Sequence, residues 1–254
     1  MSEPLLKVEG LTKRFGGVVA ADAIALDIPH GEFHAVIGPN GAGKTTLIGL
    51  LAGEIPPHGG SIRFDGRNIS ALPVHSRSLL GIARSFQITS LFGGFSALDN
   101  VALAVQAHAG HSFQFWENAR RDDALRKPAL EALARVGLDA RGDIHIDKLS
   151  HGEQRQLEIA MALATKPRLL LLDEPMAGMG PEESGRMVDM LRNLKGSVTI
   201  LLIEHDMEAV FALADRVTVL VYGRVIACGD PLAVRNDPAV REAYLGEQDV
   251  RVHE

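Results

Sequence analysis

FHAVIGPNGAGKTT, residues 33–46, begins as a near-continuous apolar run over Phe33–Gly38, the pattern of a strand covered on both faces. From Lys44 the apolar spacing changes, and a helix is expected that buries Leu47, Leu50 and Leu51 and stops at Gly53, ahead of Pro56-Pro57. The link between them, GPNGAGKTT (38–46), fits G-x-x-x-x-G-K-[ST] in the context that motif requires, after a strand and opening a helix. In such a loop the backbone N–H groups around Gly38, Asn40, Gly41 and Gly43 curl about the β- and γ-phosphates of a nucleotide. Lys44 supplies charge, Thr45 a hydroxyl for Mg²⁺, and Thr46 continues the cradle.

Working outward, LKVEGLTKRFGGVVAADAIALDI reads as short strands with turns at Gly16-Gly17 and Pro29-His30-Gly31, and SIRFDGRNI as a hairpin turning at Asp65-Gly66. From about Ser96 to Leu138 the pattern becomes helical, with amphipathic candidates in SALDNVALAVQAH and DDALRKPALEALARVGL. The stretch between them holds the single tryptophan, Trp116, read as local packing in a small helical lobe. Three later apolar runs, at 168–174, 197–204 and 215–229, read as strands, with helical lengths between them. That alternation implies a mostly parallel sheet. DPAVREAYLG starts a last short helix with an Asp cap and a proline at its first position.

The run LLLLDE (169–174) places Asp173 and Glu174 just past a strand. Ligands in open α/β sheets sit at the carboxyl ends of strands, so both acids are expected to face the phosphate loop. Asp173 is assigned to the Mg²⁺ shell and Glu174 to general-base activation of the attacking water. A second anion-binding feature stands at LSHGEQRQLEIA (149–160). Ser150 caps a helix, Glu153 closes a capping box three residues on, and Gly152 admits close approach to the backbone. Leu157, Ala160, Met161 and Ala164 give that helix one apolar face.

A chain of 254 residues with 46% hydrophobic and 23% charged residues reads as globular, with a sizeable core. Its net charge of −6 argues against nucleic acid as a partner, since no basic excess is available to neutralise phosphates. A lone cysteine, Cys228, forms no internal disulfide, which fits a reducing compartment. No apolar stretch approaches the ~20 residues that cross a bilayer, so any membrane role is expected to come through a partner.

The phosphate loop at 38–46, Gln87 in RSFQIT, LSHGEQ at 149–154, LLLLDE at 169–174 and His205 in LIEHDM stand in the order found in ABC-type ATPases, and the chain resembles that family over almost its whole length. The resemblance implies an α/β fold: a P-loop NTPase core with a mostly parallel sheet, an antiparallel β subdomain and a helical subdomain. Residues 1–246 would form one domain, with the helical subdomain inserted at about 88–165 and 247–254 a tail. It implies ATP as the nucleotide and Mg²⁺ as its metal. Phe15 would stack on adenine, Gln87 would reach the metal and the water, and His205 would touch the γ-phosphate. LSHGEQ is similar to the LSGGQ signature, by which Ser150, Gly152 and Glu153 of one subunit would face ATP held on a second subunit, identical or paralogous.

Two departures stand out. The signature carries His151 and Glu153 where the family often has Gly and Gln, and Gly180 replaces an Asp that normally couples the two sites. One set of motifs and no long heptad run point to a transporter ATPase subunit bound to transmembrane permease subunits and, through them, to a solute-binding protein. Such a subunit is cytoplasmic and peripheral on the inner membrane face. ARSFQITSLFGGFSALDNV, the helical insertion, EPMAGMGPEES and AYLGE together look like the ATPases of branched-chain amino-acid importers. The alternatives are urea or amide import, lipopolysaccharide export, or an ATP-binding switch with little turnover.

Overall fold

The computed structural model describes residues 3–85, 91–109 and 122–243. They fall into two compact units, one of residues 3–77, 171–174 and 195–243, the other of the described residues within 78–170 together with 175–194.

In the first unit β1 (Leu6–Phe15) and β2 (Val18–Ile28) form a long antiparallel hairpin about Gly16-Gly17. Alternating burial along β2 puts Ile24, Leu26 and Ile28 on one face. β3 (Phe33–Ile37) is buried at every position, as its unbroken apolar run requires, and α1 (Lys44–Ala52) follows. β4 (Gly59–Phe64) pairs with β1, and β5 (Arg67–Asn68) closes an antiparallel sheet of order β2-β1-β4-β5.

α2 (Val74–Leu79) carries Arg77, whose side chain closes the end of α1. Arg77 Nη1 donates to Leu50 O and Leu51 O at 2.7 and 2.8 Å, Nε to Leu72 O at 2.9 Å and Nη2 to Ser70 O at 3.1 Å. A guanidinium thus satisfies helix-end carbonyls that lack intrahelical donors. Burial pushes its pKa down to about 10.

The second unit starts near β6 (Ile82–Arg84), which lies beside the beginning of β7 (Leu169–Asp173), with Arg168 N and Leu169 N both donating to Gly81 O. Its helices α3 (Ala97–Ala109), α4 (Asp123–Arg135) and α5 (His151–Ala164) pack on one another, and α6 (Pro181–Leu194) packs on α5. Asp122 caps α4 through Ala124 N, and buried Asn100 ties the start of α3 to Phe92 and Ser96. Trp116 lies outside the described residues.

The end of β7 returns to the first unit, where β8 (Thr199–Ile203), α7 (Met207–Leu213), β9 (Arg216–Val221), β10 (Arg224–Gly229) and α8 (Pro231–Asn236) complete it. Its second sheet runs β10-β9-β3-β8-β7, with β3 parallel to both β8 and β9. The stretch 215–229, expected as one strand, is two. Tyr222 and Gly223 both take positive φ, 47° and 77°, which turns the chain tightly into antiparallel β10.

Within this sheet His34 of β3 is fully buried. Its Nδ1 lies 2.6 Å from Glu32 Oε1 and its Nε2 2.8 Å from Thr218 Oγ1, and Arg216 pairs with Glu32 from β9. Burial lowers the His34 pKa; Glu32 opposes that shift without reversing it.

Candidate functional site

The phosphate loop is shaped by walls that leave no room for side chains. Gly38 and Gly43 have φ of 156° and 102°, and a Cβ on either would fall on a backbone carbonyl, that of Leu220 or that of Ala20. Gly223 N donates to Ala42 O at 2.8 Å, so the β9–β10 turn tethers the loop from behind. Lys44, only 7% exposed, points its Nζ back to Gly38 O at 2.6 Å and Pro39 O at 2.9 Å, poised inside the loop it opens onto. Asn40, Gly41 and Thr45 face solvent, and Thr46 is half-buried in the same first turn of α1. The N–H groups of that turn lack helical acceptors and carry the positive end of the helix dipole, which suits phosphate.

Asp173 is buried at the end of β7, and Glu174 N donates to Ile203 O of β8 at 2.9 Å. The carboxyl ends of β7 and β8 therefore lie side by side. Glu174 takes φ 47°, unusual for a residue with a Cβ and the kind of local strain that gathers at functional sites. Its Oε1 is 3.8 Å from Nδ1 of His205, which follows β8 and is 64% exposed. Buried Glu204 accepts His205 N at 3.1 Å and so fixes the backbone that presents the imidazole. The 3.8 Å between Glu174 and His205 is too long for a direct hydrogen bond, and those two side chains can share a water.

The donor set fits a magnesium ion. Thr45 offers a hydroxyl and Asp173 a carboxylate, both hard oxygen ligands, and Mg²⁺ commonly takes one or two protein ligands beside phosphate oxygens and water. Among the described residues no group of three His, Cys, Asp or Glu side chains is placed to enclose a metal by itself. Gln87 lies outside the described residues.

Phe15, which by residue type alone reads as core, is 49% exposed at the end of β1, with Lys13 Nζ 5.3 Å from its ring centroid. An aromatic face open to solvent is what base stacking needs.

The second unit holds Ser150, Gly152 and Glu153. Ser150 caps α5, its Oγ accepting Glu153 N at 3.2 Å, while Glu153 Oε2 accepts Ser150 N at 2.8 Å. This is the reciprocal box anticipated from the sequence. Arg141 Nε clamps Glu153 Oε1 at 3.0 Å, so that carboxylate holds the cap in shape. Sequence reading missed two participants. The Tyr222-Gly223 turn behind the loop was readable as a turn dipeptide inside an apolar run. Glu183, which contacts Ser150 across 33 residues, carried no local signal.

The family model for ABC transporters matches residues 21–177, and that for the branched-chain amino acid ATP-binding cassette transporter matches residues 224–250. The chain belongs to the ABC transporter family, as one of its ATP-hydrolysing cassettes. It is 39% identical to the high-affinity branched-chain amino acid transport ATP-binding protein BraF of Pseudomonas aeruginosa, over 97% of this chain and 100% of that one. Identity to the corresponding LivG of Escherichia coli is 38%, with the same coverage.

Among solved structures, an ATP-binding cassette of an ABC transporter in its ADP conformation matches with a TM-score of 0.85 at 27% identity, covering 96% of this chain and 100% of that one. A nucleotide-free cassette gives 0.83, also at 27%, covering 94% and 98%. The expected α/β cassette fold is thereby borne out.

Proposed function

We propose that this chain hydrolyses ATP with Mg²⁺ to energise a membrane importer of branched-chain amino acids. The observation that carries this reading is full-length likeness to two ATP-binding proteins named for that transport, joined by the C-terminal match at 224–250. The loop around Gly38, Asn40, Gly41, Gly43, Thr45 and Thr46 holds the β- and γ-phosphates, and Lys44 exchanges its carbonyl partners for phosphate oxygens. Thr45, Asp173 and Gln87 hold Mg²⁺, which when bound neutralises charge on the β- and γ-phosphates. Phe15 stacks on adenine. Glu174 takes the proton of the attacking water while His205 orients the γ-phosphate, as their placement 3.8 Å apart allows.

Ser150, Gly152 and the Glu153-braced cap clasp the same phosphate from a second subunit, identical or paralogous. Together the pair drives transmembrane permease subunits, supplied in turn by a solute-binding protein, and sits peripherally on the inner face of the membrane. Phe92 and Phe95, exposed and in edge-to-face contact with centroids 6.1 Å apart, offer the apolar contact for a permease segment.

Glu174→Gln tests the chemistry. Phosphate release should fall by about 10²-fold or more, the scale of a general base, while ATP affinity stays within about twofold. Turnover that survives means the base is another group. For the substrate, proteoliposomes holding the co-purified permease should take up leucine, isoleucine or valine only with ATP inside. Uptake of urea or a short amide instead would reassign the cargo.

A further inference from the structure

The N-terminus of α5 already holds an anion belonging to the chain itself. Glu183, in the first turn of α6, accepts a hydrogen bond from Ser150 Oγ at 3.0 Å. Its carboxylate also lies over Gly152, where a Cβ would meet Oε1 at 3.0 Å and Cδ at 3.1 Å. The N–H groups of His151 and Gly152, first in the helix, have no intrahelical acceptor, and the helix end attracts negative charge. Ser150 and Gly152 are the groups assigned above to the partner's γ-phosphate. A carboxylate and a phosphoryl group are both anionic oxygen acceptors, so the two ligands exclude each other at one helix end.

We infer that Glu183 is a built-in stand-in for the γ-phosphate. It occupies the signature while subunits are apart and must swing out before ATP on the partner is clasped, so it sets the ATP concentration at which subunits join. The inference rests on the two-subunit reading proposed above. The carboxylate has somewhere to go: a cavity of about 440 Å³ borders Ser150, Gly152 and Glu183 and is lined further by Arg186 and Met187. Arg186 lies one turn along α6, at the i,i+3 spacing that lets it receive the displaced charge. Its present partner, Glu182, is 87% exposed, so exchanging that partner costs little.

The test uses the full-length chain in a Glu174→Gln background, which keeps ATP intact. Dimer formation is followed by analytical ultracentrifugation across an ATP titration. Adding Glu183→Ala should lower the ATP concentration for half-dimerisation about tenfold, two carboxylates being cleared per dimer and each exposed hydrogen bond counting for about threefold. Glu183→Asp, one methylene too short to reach Ser150, should shift it the same way, and Glu183→Gln serves if the alanine variant fails to fold. ATP affinity of the isolated subunit, read with a fluorescent analogue at low protein concentration, should match the parent. Unchanged or weakened dimerisation in these variants overturns the inference while leaving the two-subunit site intact. A parent that binds Mg-ATP yet stays monomeric overturns both.

Discussion

Replacing Arg77 with alanine removes a guanidinium that makes four hydrogen bonds at 1% exposure. Each is a charge-assisted bond, about 1.5–3 kcal/mol when lost. Against that stands the cost of burying the charge. That burial, which pushes the Arg77 pKa down to about 10, offsets part of what the bonds contribute. The carbonyls of Ser70 and Leu72 are near enough to the surface to recover water, whereas those of Leu50 and Leu51 are buried.

The net loss is therefore expected at roughly 3–5 kcal/mol, set mainly by two stranded carbonyls at the end of α1. Arg77→Lys keeps the charge but presents its donors from one point, and should recover about half. Urea unfolding followed by circular dichroism measures both. Amide exchange at Gly53, Glu54 and Ile55, which all donate to Gly49 O, should quicken in parallel. An alanine variant within about 0.5 kcal/mol of the parent, or a lysine variant equal to it, would refute the capping argument.

Two further outcomes complete the set that includes the Glu174 and Glu183 variants. Gly38→Ala drives a methyl into the Leu220 carbonyl and should weaken ATP binding more than about tenfold by calorimetry; near-native affinity would mean the loop is less rigid than its walls imply. His34, held neutral by burial, has a folded pKa below its unfolded value near 6.5, so its contribution is complete above that pH and is lost as pH falls below it. Stability should drop by up to about 1.4 kcal/mol per pH unit there, and the slope should shrink in His34→Asn; parallel curves for the two proteins would exclude the histidine as the source.

What the sequence made legible was local or periodic. The run at 33–37, the helix after Lys44 and the Ser150–Glu153 box follow from neighbours within four residues, and the structure holds all three. β6 and α2 span only three and six residues, too few for any period to show. β9 and β10 ran together because apolar residues flank Tyr222-Gly223 without a charged break on the β9 side. Phe15 is assigned to adenine by resemblance and not by residue type, which does not report the exposure that the structure shows. Glu183 on Ser150 and Arg77 on α1 join residues 33 and 26 or more positions apart, and only the packed chain brings such pairs together.

The tether from Gly223 to Ala42, with Leu220 pressed against Gly38, has a consequence for biosynthesis. The nucleotide cradle is formed at residues 38–46, but its rear wall is made by Leu220 and Gly223, which leave the ribosome about 180 positions later. A nascent cassette lacks this wall until that turn emerges, so tight nucleotide binding is expected only from then on. Competence arrives late and all at once, when the last hairpin closes behind a loop that has been waiting for it.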